Sequence, residues 1–203
     1  MPIHPTRTLP EGYRLSRSID LKKDTRLAVK LNIAGFLLLI PTVALLFQLV
    51  RASHPGSISD NGRFVLSGST ILHIVGVIAA ISLVLIVHEF IHGLFFWTAT
   101  RTRPKFGFQL SYAYAAAPDW YIPVRFYWWI GIAPFLLLGI IGILWLFVAP
   151  EFLLLYLVAA IAMNTAGSIG DLWILYTLFR QPAGCLVNDR GDGISFYIPE
   201  SSV

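Results

Sequence analysis

Two histidines and a glutamate stand within five residues of one another, at His88, Glu89 and His92. The apolar run that holds them, from Ile71 to Trp97, carries no other charged residue. Polar groups in so greasy a segment are costly unless something binds them. On a helix, residues four apart lie about 40° apart around the axis and about 6 Å along it, so both imidazoles face one side and can share a metal ion. Glu89 falls on a neighbouring line, near enough to act on water beside that metal without being a ligand. The pattern His-Glu-x-x-His therefore reads as two metal ligands and a general base for hydrolysis. A plainer alternative, polar residues joining this helix to its neighbours, is weaker because Ser, Thr and Gly do that at lower cost.

The elements that must position these residues are mostly membrane spans. The 203 residues are 56% hydrophobic and only 13% charged, with a mean hydropathy of +0.70, whereas a soluble domain carries about twice that charge. The expected fold class is an all-α membrane protein of four transmembrane helices. A short membrane-associated β segment is expected between helices 2 and 3, and a β-prone C-terminal tail after helix 4. Spans are read over 31–50, 71–100, 126–148 and 152–179, with possible kinks at Pro41, Gly131 and Pro134. Residues 1–30 form a basic arm, expected to be part disordered and part a short interfacial helix, with no removable signal peptide. Residues 31–179 form the core and 180–203 the tail. Between the second and third spans, large side chains at Phe106, Phe108, Leu110, Tyr112 and Tyr114 alternate with small or polar ones, a period of two that predicts one strand. In the tail, two β-prone runs flank Asp189-Arg190-Gly191-Asp192-Gly193 and predict a hairpin. The Arg-Gly-Asp triplet there is turn chemistry.

Charge distribution sets the orientation. Seven of the fifteen basic residues precede Leu31, which argues for a membrane-facing arm and against a nucleic-acid partner. Thirteen basic residues flank the spans on one side and two on the other, so both termini are expected in the cytoplasm. The lone Cys185 excludes an intrachain disulfide and a cysteine-based metal site.

A catalytic zinc takes three protein ligands and keeps one position open. His73, fifteen residues before His88, lies about 22 Å away along a continuous helix and is excluded. Glu151 belongs to the outer turn, and Asp119 to an interfacial loop. Asp171 fits best: it is the only charge between Phe152 and Phe179, at the same depth from the inner end of its span as His92 is from its own. Asn164, two turns deeper on the same face, either bonds substrate or an oxyanion, or joins helices.

With these residues in view, His88-Glu89-Phe90-Ile91-His92-Gly93 and the later Asn164 and Asp171 resemble the site-2-protease class of intramembrane zinc proteases. Over roughly residues 70–200 the chain is more closely similar to small bacterial membrane proteins grouped as putative zincin peptidases. The resemblance implies one zinc ion on His88, His92 and Asp171, with Glu89 as general base. It also implies a membrane-associated strand that presents substrate. The chain departs from the larger class in reading Gly170-Asp171-Leu172 where Leu-Asp-Gly is usual, and in lacking a proline shortly after Asn164. The expected function is a zinc-dependent endopeptidase of the bacterial cell membrane, acting on peptides or membrane proteins within the bilayer. A non-catalytic metal-binding or metal-transporting protein is the alternative, and a structural subunit with a degenerate motif a third.

Overall fold

The computed structural model describes residues 2, 4–20, 22–59, 63–64, 68–108 and 113–200. In chain order its elements are β1 (Tyr13–Asp20), α1 (Thr25–Ser53), α2 (Thr70–Thr100), β2 (Lys105–Phe108), β3 (Ala113–Ala116), β4 (Ile122–Pro123), α3 (Val124–Leu146), α4 (Glu151–Gly167), α5 (Ile169–Phe179), β5 (Leu186–Asp189) and β6 (Gly193–Pro199). The fold is mostly helical with two small antiparallel sheets. Four segments are long and apolar enough to cross a membrane: α1, α2, α3 and α4 with α5. The most apolar eighteen residues of α2 include none that is buried within the protein. Surface of that kind calls for hydrocarbon rather than water.

Contacts divide the chain into two compact units. One comprises Met1–Leu31, Glu89–Ala133 and Gly170–Val203; the other comprises Asn32–His88 and Pro134–Ile169. The dividing points fall inside α1, α2 and α3 and after the first residue of α5.

The first unit holds the four-stranded sheet, ordered β1-β6-β5-β4, and the β2–β3 hairpin. Ile19, Ile122, Val187, Ile194, Phe196 and Ile198 from the sheet pack with Phe96, Tyr127, Ile130, Leu175 and Leu178 from the helices in one core. β1 corrects the expectation for residues 1–30: these contain an edge strand antiparallel to β6, from Tyr13 opposite Pro199 to Asp20 opposite Gly193, with a shift of register between Leu15 and Arg17. Its backbone finds partners at the far end of the chain, a pairing that local composition does not signal. The expected tail hairpin is present as β5 and β6. Its turn is held by the Asp189 carboxylate, which accepts the Gly191 N–H at 2.8 Å, with Gly191 at φ +88°. The triplet is turn chemistry, as expected.

The single strand expected over 106–114 is instead two strands of a hairpin. Lys105 pairs with Ala116 and Phe108 with Ala113. Period-two alternation persists through such a reversal, so it cannot reveal one. Gln109 to Tyr112 lie outside the described residues.

The second unit is the larger part of α1, the first part of α2, the second part of α3, and α4. Leu46, Val50, Leu146, Leu154, Val158 and Ile161 form its core. α1 runs through Pro41 without a break. At Gly35 a side chain would meet the Ala166 carbonyl oxygen at 2.9 Å, so the glycine allows α1 to touch the end of α4. The expected fourth span is two helices. α4 ends at Gly167, where Ser168 turns its N–H (3.0 Å) and hydroxyl (2.7 Å) onto the Asn164 carbonyl, and α5 restarts at Ile169.

Candidate metal centre

α2 is continuous from Thr70 to Thr100, so His88 and His92 are one helical turn apart and share a face. Both are buried. Each spends one ring nitrogen on a backbone or side-chain oxygen. His92 Nδ1 lies 2.8 Å from the Ile130 carbonyl of α3. A carbonyl oxygen only accepts, so Nδ1 carries the hydrogen and the lone pair of the neutral ring sits on Nε2. His88 Nδ1 lies 3.0 Å from Asn164 Oδ1, while Asn164 Nδ2 donates to the Phe135 carbonyl at 3.4 Å. That second bond fixes which end of the amide faces His88, and so assigns His88 the same tautomer.

The Nε2 atoms are thus left as acceptors, and an acceptor stands beside them. Asp171, in the first turn of α5, places Oδ1 3.4 Å from His92 Nε2. The ligand atoms of His88, His92 and Asp171 all lie within 4.8 Å of one another, and no other such trio of His, Cys, Asp or Glu occurs among the described residues. In a tetrahedral site with bonds near 2.1 Å, neighbouring ligand atoms are about 3.4 Å apart. A charge-assisted hydrogen bond would be shorter, near 2.8 Å. Donor set, tautomers and spacing therefore fit a zinc ion. Oxygen acceptors on the far ring nitrogens are the usual support of histidine ligands.

Glu89 follows His88 on α2 and is partly exposed. Asn164 is 1% exposed and engaged at both ends of its amide. His73 shares a 2.8 Å hydrogen bond with Tyr156 near the start of α2, far from this cluster. Asp119 forms an exposed pair with Lys105.

Residues 81–186, just over half of the chain, match a family model described as putative zincin peptidase. The chain belongs to this family. No curated protein and no solved structure matches it. For a zincin peptidase the expected cofactor is zinc and the expected chemistry that of a metallopeptidase. The matched stretch contains His88, Glu89, His92, Asn164 and Asp171.

Three sets of contributors to this candidate site escape a reading of residue types. The carbonyls of Ile130 and Phe135 belong to apolar residues, so nothing in their identity announces a hydrogen bond. Tyr127, one turn before Ile130, packs edge-on against Phe96, one turn after His92. Its hydroxyl donates to the buried Asp189 carboxylate of β5 at 2.5 Å. Gly131 is the third: a side chain there would meet Leu175 at 2.8 Å, and Leu175 lies one turn beyond Asp171 on α5.

Proposed function

We propose that this protein is a zinc-dependent endopeptidase embedded in the bacterial cell membrane, cleaving peptide bonds of membrane-associated substrates. The observation that carries the reading is the pair His92 Nε2 and Asp171 Oδ1 at 3.4 Å, with the far nitrogens of both histidines already committed to oxygen acceptors. His88 and His92 would hold the ion through Nε2, and Asp171 through its carboxylate. Zinc bound there supplies Lewis acidity, lowering the pKa of water toward about 7 and polarising a scissile carbonyl. Glu89 takes the proton of the attacking water on its carboxylate and passes it to the departing amine nitrogen. Asn164 holds the His88 ring through its amide oxygen.

A peptide bond within a membrane helix is shielded by its own hydrogen bonds, so the substrate must unwind before cleavage. The β2–β3 hairpin offers a place for the unwound segment to join as a further strand. The concentration of basic residues on one side of the spans supports cytoplasmic termini and a site in the cytoplasmic half of the bilayer.

The test is a comparison of purified wild type with Glu89→Gln. Both should hold about one zinc per chain, and only the wild type should cleave a membrane-peptide substrate, with the variant lowered at least about a hundredfold. Zinc in both proteins with equal cleavage would remove Glu89 from the mechanism. Absence of zinc from both would refute the metallopeptidase reading.

A further inference from the structure

In an unbroken helix each carbonyl receives the N–H of the residue four places on. For Ile130 that residue is Pro134, which has no N–H. Pro134 lies inside α3, which continues for twelve residues beyond it to Leu146, and it is fully buried. A proline within a helix ordinarily weakens it, because a backbone acceptor goes unsatisfied. Here that acceptor is satisfied from another helix: the Ile130 carbonyl takes the His92 Nδ1 hydrogen at 2.8 Å. Ile130 itself is 2% exposed, so water is a poor substitute for either partner. The missing hydrogen in α3 and the extra hydrogen from α2 match one for one.

We propose that Pro134 is a positioning residue for His92. By leaving the Ile130 carbonyl open, it reserves that oxygen for Nδ1 and so fixes the ring with Nε2 toward the metal. With any other residue at 134, a backbone N–H would compete for the same oxygen, and the ring could exchange tautomers or turn. The neighbouring turn is held independently, by Tyr127 against Phe96 and by the Tyr127 hydroxyl on Asp189, so α3 need not move when Pro134 is replaced. The proposal rests on the reading of His92 as a metal ligand, but the Nδ1–Ile130 bond exists without one.

The test compares wild type with Pro134→Ala and Pro134→Gly, both of which restore the N–H. Three quantities are read: the zinc dissociation constant, the melting temperature without metal, and the 15N spectrum of histidine-labelled protein at alkaline pH, with the His92 signal assigned from His92→Gln. Both variants should bind zinc about tenfold more weakly, the usual scale for losing the outer hydrogen bond of a ligand. Both should shift His92 away from the Nδ1-protonated form. Pro134→Ala should melt no lower than wild type without metal, since alanine suits a helix interior. Zinc affinity within about twofold together with an unchanged His92 spectrum would overturn the proposal. So would a lower metal-free melting temperature for Pro134→Ala, which would make the proline a packing device. If wild type bound no zinc, the peptidase reading would fail while the 15N comparison still decided whether Pro134 sets the His92 tautomer.

Discussion

Asp189 is a buried carboxylate whose surroundings oppose its charge. It sits on β5, where burial pushes its carboxyl from 3.8 up to about 6. Hydrogen bonds from Tyr127 and the Gly191 N–H pull it down. A carboxyl whose folded pKa is raised adds stability below its unfolded pKa, and that stability is lost as pH rises through the folded value. Wild type should therefore lose up to about 3 kcal/mol relative to Asp189→Asn between pH ~4 and pH ~7. Asn lacks a second oxygen for the Gly191 N–H, but that cost does not vary with pH. Melting temperatures of the two proteins across this range check the slope; parallel curves would show the carboxyl titrating normally. Residue types alone made His88, Glu89, His92 and Asp171 legible, because charge and imidazole are rare at such depth in an apolar chain. Asp189 read as a turn residue; it is the last residue of β5, and its carboxylate holds the turn. Its bond to Tyr127 depends on a pairing sixty-two residues apart.

At the scale of elements, the distance between α3 and α5 governs where Asp171 sits. Gly131 permits the approach, and Leu175 fills the space a side chain would take. Gly131→Val should force Leu175, and with it the first turn of α5, away from α3. The expected outcome is a loss of zinc affinity of about tenfold or more and a lower melting temperature by overpacking, of about 1–3 kcal/mol. Zinc titration and thermal unfolding of the variant check both; an unaltered affinity would separate the glycine from the site. The helices themselves were readable from apolar length. Their interruptions were less so: the fourth span is divided at Ser168 into α4 and α5, and Gly131, expected as a kink, is a point of contact. A glycine or proline announces freedom or a missing bond, and only the neighbouring helix decides how either is used.

At the scale of the molecule, β1 and β6 lie side by side although α1 to α5 intervene. Strands in one sheet must be on one side of a membrane, so the number of crossings between them is even. Four candidate spans satisfy this without any appeal to basic residues. Single cysteines introduced as Arg14→Cys and Glu200→Cys should react with an impermeant maleimide from the same side of sealed vesicles, and Arg51→Cys from the opposite side. Burial holds the native Cys185 thiol up to about 12, so it should stay silent in this assay. Reaction of Arg14→Cys and Glu200→Cys from different sides would contradict the sheet. The sheet as a whole was half legible. The tail hairpin is local and announced itself through a glycine-rich turn, whereas β1 is masked by Arg14 and Arg17 and gains its partner only through long-range pairing.

That pairing also imposes an order on how the molecule comes into being. Strand β1 is made before the helices α1 to α5, and its partner β6 only after them. Until then β1 must wait as an open edge, and the core that it helps to close, with Phe96, Tyr127 and Ile130 around His92, stays unfinished. The core beside the candidate metal centre is thus completed only once β6 has been made.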